Sequence, residues 1–318
     1  MDSTPGSFLT AIGLEHLAPL IESRGLDLPA ILKLKDDELL ALGIEKPGDR
    51  ARLLAAARAT EEGMVGGSGD SWKTTTDPAK ATKDKPFVNC FGMLFVPVRR
   101  FKTLFSVCPV RVCDFESFCD KKLRAMPDCD YPQGPDHPVA GVTWEEAKRF
   151  CDWMTERERN RGLIDPGLAY RLPTDPEWSA AVGLREEPES TPKSRNGKAA
   201  GYPWGSQFPP PPGAGNYHPR LGVDDFKETS PVASFAPNRY GIYDLGGNVW
   251  EWCMDTFEVE DDWRVLRGAS CFNDGEDRLR SSYRERFPPS QTRNNIGFRV
   301  VLSTRAFKDP AIQNSSWT

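Results

Sequence analysis

Residues 229–252 read TSPVASFAPNRYGIYDLGGNVWEW, a stretch in which glycine, proline and aromatic residues replace any helical or strand periodicity. Glycine and proline are the strongest interrupters of regular structure. From Phe87 onward the chain keeps this character and has few long periodic segments. The sequence therefore predicts a domain of short strands and long loops, whose backbone polar groups need partners outside regular ladders.

Two segments of this region carry helix signals. In TWEEAKRFCDWMTERERNRG, Thr143 and Glu146 form a capping-box pattern ahead of an apolar stripe. In TDPEWSAA, Thr174 is the expected N-cap and Pro176 lies near the first turn. Because a buried indole removes about 150–250 Å² from water, we expect most tryptophans here to fill the core. These are Trp144, Trp178, Trp204, Trp250 and Trp252.

An ordered series of phrases covers nearly all of residues 87–303. The phrases are HPVAGVTWEEAKRFCDWM, YRLPTDPEWSAAVG, YPWG, GNY, TSPVASFAPNRYGIYDLGGNVWEW, RVLRGAS and IGFRVVL. In this order they resemble the formylglycine-generating, or sulfatase-modifying-factor, family. The resemblance implies an α+β C-type-lectin-like domain rich in loops over residues 86–305, followed by a tail at 306–318.

The same resemblance implies two structural calcium sites. Calcium takes carboxylate and carbonyl oxygens, and a loop-rich domain gains from ions that tie its loops together. The first implied ligand set is Asp244, the Gly247 carbonyl, the Val249 carbonyl and Glu251. The second is Asn216, the Tyr217 carbonyl, Asp224 and the Phe226 carbonyl. The alternative is that the first two carboxylates only hydrogen-bond the turn and that Asp224 is a solvated loop charge.

Catalysis in formylglycine-generating enzymes needs two cysteines that bind copper(I), an ion that soft thiolates select. In RGASCFNDGEDRLRSS those two positions fall on Asn273 and Arg278, so both thiolates are missing. Cys271 lies nearby, but one thiol does not make a two-coordinate site, and the alternative role for it is a small buried apolar residue. The related iron chemistry relies on histidines, and the three histidines of this chain stand far apart. We therefore expect no copper and assign no catalytic residue.

A ligand surface is predicted near the carboxyl end. RVLRGASCFNDGEDRLRSSYRERFPPSQTRNNIGFRVV, residues 264–301, alternates framework phrases with positions of free character. It resembles the variable region of proteins diversified by retroelements, which use a lectin-like fold as a rigid frame. The candidate ligand-binding residues are Trp263, Phe272, Asn273, Asp274, Glu276, Arg280, Tyr283, Glu285, Phe287 and Gln291. Arg280 and Arg284 could instead form internal salt bridges.

The amino-terminal residues 6–60 predict short helices, and LDLPAILKLKDDELLALGI with KPGDRARLLAAARA resembles a SAM domain. This implies an all-α five-helix bundle that binds a SAM-bearing partner or itself. The acidic residues Asp27, Asp36, Asp37 and Glu38 and the basic residues Lys46, Arg50 and Arg52 would meet head to tail. Residues 61–85 are rich in Gly, Ser, Thr, Lys and Asp, which predicts a flexible linker between two domains that need not touch.

The composition gives no indication of a nucleic-acid or membrane partner. A net charge of -5 gives no sign of nucleic-acid binding. No apolar run approaches the roughly 20 residues of a membrane helix, and the first residues lack the basic segment of a signal peptide. We therefore expect a cytoplasmic protein without membrane contact, whose 8 cysteines are mostly buried thiols.

These features favour a non-catalytic recognition protein. The lectin-like domain would bind a protein or small ligand, and the SAM domain would mediate oligomerisation or recruit a signalling partner. The alternative is an oxidoreductase of the formylglycine-generating type, and a third hypothesis is a purely structural scaffold.

Overall fold

The computed structural model describes residues 5–11, 14–44, 49–50, 53, 74–98, 100–122, 125–185, 187–260 and 262–304. Within them, mixed helices and short strands follow an all-helical amino-terminal part.

The amino-terminal part packs short helices around one apolar core. Its elements are α1 (Pro5–Ala11), a 3-10 turn (Glu15–Leu17), α2 (Ala18–Ser23), α3 (Leu28–Ile31) and α4 (Asp36–Ala41). The buried residues they share are Leu9, Leu14, Leu17, Ile21, Ile31, Leu39, Ile44 and Leu53. The last predicted helix is represented by residues 49, 50 and 53, so the five-helix bundle falls partly outside the described residues.

Arg50 is not part of a basic association surface. Its guanidinium Nη1 donates to the Ile44 carbonyl at 3.0 Å, and the residue is 8% exposed. The prediction that Arg50 supplies surface charge at the start of the last helix is therefore wrong, because the side chain serves the fold of the module. Lys46 and Arg52 lie outside the described residues.

The second half of the predicted linker is ordered against the larger domain. Thr75 pairs with Phe87 in a parallel bridge, and the Val88 amide donates to the Thr75 carbonyl at 2.9 Å. A 3-10 turn (Pro78–Lys80) follows, capped by the Asp77 carboxylate. The expectation of flexibility is therefore wrong from residue 74 onward, because backbone pairing compensates for the scarcity of apolar side chains.

A five-stranded antiparallel sheet forms one layer of the larger domain. Its strands run in the order β1 (Phe87–Val88), β2 (Leu94–Val98), β3 (Thr103–Ser106), β9 (Val301–Ser303) and β4 (Ala169–Arg171). Leu302, the middle residue of β9, pairs with Leu104 of β3 on one side and Tyr170 of β4 on the other. The end of the domain is thus inserted between strands from its beginning and its middle.

A second sheet has four strands and carries the segment predicted to bind ligand. The order is β7 (Glu285–Phe287), β6 (Arg264–Arg267), β5 (Trp250–Thr256) and β8 (Ile296–Gly297), with only β5 and β8 parallel. The irregular loop over residues 268–284 connects β6 to β7.

Four helices accompany the two sheets among the described residues. They are α5 (Val112–Lys122), α6 (Trp144–Asn160), α7 (Asp175–Val182) and α8 (Pro192–Arg195), and a 3-10 turn (Pro219–Leu221) follows. The capping box predicted for α6 and the N-cap predicted for α7 are confirmed, since the Thr143 and Thr174 hydroxyls accept hydrogen bonds from the amides of Glu146 and Glu177. The structure also completes a capping box at Thr174. None of the described helices is long and apolar enough to span a membrane.

The predicted tryptophan core is confirmed at four of five positions. Trp144, Trp178, Trp250 and Trp252 are each at most 8% exposed. Trp204 is the exception: it is half-buried and lies parallel to Tyr202, with ring centroids 4.7 Å apart. The large apolar cluster lies between α5, α6 and the two sheets.

A fully buried ion pair connects the two sheets. Arg299, between β8 and β9, donates from Nε and Nη2 to the two carboxylate oxygens of Glu251 on β5, at 2.7 and 2.6 Å. The Trp178 indole of α7 donates to the same carboxylate at 2.7 Å. Both charged side chains have zero exposure. The pair therefore stabilises the fold only as long as each charge keeps its partners.

The Arg299 guanidinium also binds backbone in three places. It donates to the Ser106 carbonyl of β3 at 3.1 Å and to the carbonyls of Tyr243 and Asp244 at 2.9 and 3.2 Å. One side chain thus joins the first sheet, the second sheet and the glycine-rich loop before β5.

A second buried network holds the loop after β6. Asp175, at the start of α7, is ion-paired with Arg195, Arg267 and Arg284. Burial acts to raise the pKa of Asp175, but the charges of Arg267, Arg284 and Arg195 lower it below its ordinary value. Arg284 also binds Glu187 at 2.6 Å and has no exposed side-chain surface. Of its two predicted roles, the structure therefore assigns Arg284 the internal salt bridge.

Replacing Arg299 with Met should reduce the free energy of unfolding by about 3–5 kcal/mol, because Glu251 would remain buried without a counter-charge. The double variant Arg299→Met/Glu251→Leu should recover much of this loss, since it removes both charges. Urea unfolding of the full chain at neutral pH measures both values.

Arg239→Met is the matched control, because Arg239 is exposed and contacts only its neighbour Tyr240 among the bonds described for it. It should change stability by less than about 0.5 kcal/mol. A loss below about 1 kcal/mol in Arg299→Met would show that the buried pair does not hold the sheets together.

Candidate functional site

The loop that follows β6 opens with a tight turn. The Asn273 Oδ1 accepts the Ser270 amide at 2.9 Å and the Ser270 hydroxyl at 2.8 Å, and Asn273 is 7% exposed. Phe272 is half-buried with its ring edge against Tyr131, at a centroid distance of 6.1 Å. Asn273 was predicted to bind ligand, but the structure commits its side chain to the backbone turn.

Charged side chains project from the next part of the loop. The Asp274 carboxylate lies 3.7 Å from Arg220 and 4.0 Å from His218. Arg280 contacts Glu276 at 3.6 Å and Asp277 at 3.1 Å, and each of these side chains is at least 32% exposed. Exposed pairs of this kind contribute about 0–1 kcal/mol each, so they are free to exchange partners with a ligand.

Three aromatic residues from another loop complete this surface, and the sequence did not assign them to it. The Tyr202 hydroxyl donates to Glu276 at 3.2 Å, and burial together with the Glu276 charge raises the pKa of Tyr202. Trp204 stacks on one side of Tyr202 and Phe208 tilts against it at 6.1 Å. The sequence analysis used YPWG only as a family phrase and did not consider it as part of a binding surface. Three aromatic residues within seven positions of a proline-rich loop could have indicated this surface.

A cavity of about 270 Å³ lies beside the same aromatic residues. Its lining includes Pro203, Trp204, Phe235 and Asp244. Most of the remaining lining residues are proline, glycine and alanine.

The remaining candidates divide between surface and core. Tyr283 is half-buried near Trp250, and Glu285 on β7 lies 4.0 Å from Arg278. Gln291 is exposed in the turn after β7. Phe287 is 8% exposed within the main core, so the prediction that it binds ligand is wrong because it packs inward from β7.

Trp263 belongs to a different surface. It precedes β6, whereas the ligand loop follows β6, so the length of the strand separates them. The Arg286 guanidinium covers its ring at 5.0 Å, and Trp263 remains 38% exposed. The predicted ligand residues therefore do not form one continuous patch.

The two positions of the catalytic cysteines hold an amide and a cation. Asn273 caps the turn, and the Arg278 side chain is 55% exposed beside Glu285. Cys271 has zero exposure, and burial raises the pKa of its thiol, which disfavours the reactive thiolate. All eight cysteines are free thiols, and six are buried.

The loop proposed as the second calcium site contains an unpaired oxygen. The Asn216 Oδ1 is buried without a hydrogen-bond partner, while its Nδ2 donates to the Glu228 carbonyl at 2.8 Å. The Asp224 carboxylate accepts the amides of Tyr217 and Phe226, each at 2.9 Å, which gathers both ends of the loop around it. A buried amide oxygen and a carboxylate in one loop are both ligand types that calcium accepts.

The loop proposed as the first calcium site is only partly available. Burial raises the pKa of Asp244 to about 6, and its Oδ2 accepts the Ala233 amide at 2.8 Å. Both Glu251 oxygens are bonded to Arg299, so Glu251 already has a counter-charge. Gly247 has φ +82°, and a Cβ there would overlap the Asn216 carbonyl, so the two predicted loops touch.

No three His, Cys, Asp or Glu side chains gather as a metal site in the part of the chain that the structure describes. A cation at either loop would therefore depend on amide and carbonyl oxygens for most of its ligands. Calcium accepts such ligands, whereas copper(I) and zinc favour thiolate or imidazole.

Comparison with known proteins places these features in a family. Residues 87–304 match the sulfatase-modifying factor enzyme 1-like domain, and residues 2–61 match the SAM domain (sterile alpha motif). Treponema denticola variable protein 1, a solved structure, superposes with a TM-score of 0.43 and 19% identity, covering 63% of this chain and 84% of that chain.

Two curated relatives carry opposite descriptions. An inactive C-alpha-formylglycine-generating enzyme 2 from Bos taurus is 34% identical over 183 residues, covering 52% of this chain and 50% of that protein. A formylglycine-generating enzyme from Bos taurus is 30% identical over 203 residues, covering 55% of this chain and 46% of that protein. The chain spans about half the length of these relatives. Since the family match extends over more than half of the chain, the protein belongs to the sulfatase-modifying factor enzyme 1-like family and carries a SAM domain ahead of that domain.

Proposed function

We propose that this protein is a non-catalytic recognition protein, whose C-type-lectin-like domain binds a protein or small ligand while its SAM domain joins it to partners. The observation that carries the proposal is the state of the loop after β6. Asn273 caps a turn, Arg278 is a surface cation, and Cys271 is a buried thiol. This loop holds no pair of thiolates for copper(I), yet it presents exposed charges beside an aromatic platform.

The ligand surface of this proposal consists of Tyr202, Trp204, Asp274, Glu276 and Arg280. Aromatic faces supply contact area at low entropic cost, and the charged side chains supply orientation. Their frame is rigid because Arg284 and Arg267 anchor both ends of the loop on Asp175. This arrangement supports binding by a preformed surface.

Oxidation of a cysteine substrate is the second candidate function. The 30% identity to a formylglycine-generating enzyme favours it. The relative described as inactive, at 34% identity, favours the non-catalytic proposal instead.

Screening the full chain on peptides and glycans of known composition, including cysteine-containing peptides with copper(I), tests both functions. We expect the protein to bind at least one class of peptide or glycan and to consume no oxygen. Tyr202→Ala and Arg280→Ala should each weaken that binding about tenfold, which corresponds to 1.4 kcal/mol. The measurements are fluorescence anisotropy and an oxygen electrode.

Lys148→Ala is the control variant, because Lys148 is exposed on α6 and pairs only with Asp152 among the contacts described for it. It should bind as the wild type does. Stoichiometric copper(I) uptake with turnover of a cysteine peptide would refute the non-catalytic proposal. Ligand binding that is indifferent to Tyr202 and Arg280 would refute the assigned surface.

Calcium is proposed as a structural ion of the two loops. Asn216 and Asp224, with the carbonyls of Tyr217 and Phe226, would hold one ion. Asp244, with the carbonyls of Gly247 and Val249, would hold the other, and Glu251 could join only by sharing its carboxylate with Arg299. The unpaired Asn216 Oδ1 is the observation that supports the first of these.

Removing calcium with a chelator should lower the melting temperature, because an ion bound only by the folded state stabilises it by about 2.7 kcal/mol at 100 times its dissociation constant. Asp224→Asn should lose most of this calcium-dependent shift. Asp225→Asn, a neighbouring exposed carboxylate, is the matched control and should keep it. The measurement is differential scanning calorimetry with metal analysis of the purified protein. An unchanged melting temperature and no co-purifying metal would show that the loops hold no calcium.

The SAM domain is proposed to associate with itself or with another SAM-bearing protein. Its exposed acidic side includes Asp37, whereas the Asp27 and Glu38 carboxylates are occupied by the backbone amides of Ala30 and Lys35. Heterologous contacts through such a surface extend into chains or close into rings.

Light scattering of the full chain should show an apparent mass that rises with concentration at low salt and falls at high salt, because salt screens exposed charges. Asp37→Lys should reduce the rise, and Glu22→Lys, an exposed change of equal charge on α2, should not. A monomer at every concentration would refute self-association and leave the heterotypic partner.

A further inference from the structure

Among the described residues, the Glu15 carboxylate joins the amino-terminal module to the larger domain. Glu15, the first residue of the 3-10 turn, accepts from Arg161 Nη2 at 2.7 Å and from Arg157 Nη2 at 3.4 Å, both on its Oε1. Arg157 lies in the last turn of α6 and Arg161 directly follows that helix. Two guanidinium groups from one helix end thus converge on one acceptor from the other module.

One of the two arginines, Arg157, is also held by an aromatic contact within the larger domain. The Arg157 guanidinium lies over the Phe91 ring at 5.8 Å, and its side chain is 19% exposed. Phe91 in turn packs on Trp153 of α6 with ring centroids 4.8 Å apart. Little side-chain entropy is lost when a carboxylate binds a guanidinium that an aromatic ring already holds.

The 3-10 turn that carries Glu15 is held in place as well. Leu14 and Leu17, on either side of Glu15, are buried in the core of the amino-terminal module. The His16 ring binds the Asp49 carboxylate at 2.7 Å, which ties the turn to the start of the last helix. Burial acts to raise the pKa of Glu15, but a backbone hydrogen bond and the charges of Arg161 and Arg157 lower it overall. The carboxylate is therefore ionised at neutral pH and points out of the module.

We propose that Arg157 and Arg161 form a docking site for the SAM domain of the same chain, and that Glu15 closes this contact as a salt-sensitive latch. The latch holds the SAM domain against the larger domain, so that it does not swing freely on its connector. Exposed ion pairs are individually weak, so the contact shifts the docking equilibrium by about fivefold.

The chain connection favours docking within one molecule. The SAM match ends at residue 61 and Thr74 is ordered beside the larger domain, so 12 residues, 62–73, connect the two. A flexible chain of 12 residues spans on the order of 20 Å. A linker of this length gives the two modules of one molecule an effective concentration in the millimolar range. Separate molecules at ordinary protein concentrations do not reach that value, so a weak contact forms within one molecule.

Small-angle X-ray scattering of the full chain at low and high salt, at dilutions where light scattering gives the mass of a monomer, tests this proposal. We expect the wild type to be compact at low salt and to expand at high salt, because screening weakens exposed pairs. Glu15→Gln should be expanded already at low salt. Glu15→Arg combined with Arg161→Glu should restore part of the compaction, which a loss of folding could not do.

Glu22→Gln is the matched control, since it removes the same charge from an exposed site of the same module, and it should stay compact at low salt. Equal dimensions of wild type and Glu15→Gln at every salt concentration would overturn the proposal. A dimer seen by light scattering that depends on Glu15 would also overturn it, because the contact would then join two molecules.

Discussion

The Glu251–Arg299 ion pair is the constraint on which the larger domain depends. Short strands and long loops leave many carbonyls without ladder partners, and Arg299 binds three of them while neutralising Glu251. The Trp178 indole completes the set from α7. Two buried charges are costly to desolvate, so this arrangement is stable only when all partners are present, and it specifies one packing of the two sheets. The glycine-rich loop before β5 and the entry into β9 are positioned by the same group.

A second charged network makes the ligand loop a rigid part of this frame. Asp175 binds Arg267 at one end of the loop and Arg284 near the other. Both ends of the loop are therefore held against the start of α7. The side chains that leave the loop outward, Glu276 and Arg280 among them, are exposed and carry little of the stability. The buried ion pairs stabilise the loop, whereas the exposed side chains contribute little to stability. Substitutions at the exposed positions should therefore have little effect on folding. This separation is what a recognition surface requires.

The two loops proposed to bind calcium meet the aromatic residues Tyr202 and Trp204 behind the proposed ligand surface. Tyr217 follows Asn216 in one calcium loop and packs edge-on against Trp204, which stacks on Tyr202. A Cβ at Gly215 would lie 2.8 Å from the Gly246 carbonyl, so the two loops approach as closely as backbones allow. An ion bound there would therefore stiffen the aromatic residues that face a ligand. Recognition and metal binding are coupled in this proposal through Tyr217 and Trp204.

The sequence alone determined the two-module organisation, the capping box at Thr143, the N-cap at Thr174 and most of the tryptophan core. It also determined that residues 273 and 278 are Asn and Arg instead of cysteine. These are local patterns or residue identities, which do not depend on distant contacts. Only the tertiary structure decided that Asn273 and Phe287 face inward, that Trp263 lies apart from the ligand loop, and that Tyr202 joins it. It also showed that Arg50 is buried, that residues 74–85 are ordered and that Glu15 reaches α6. In a loop-rich fold no periodicity tells which way a side chain points, so its partners are set by contacts between residues far apart in the chain.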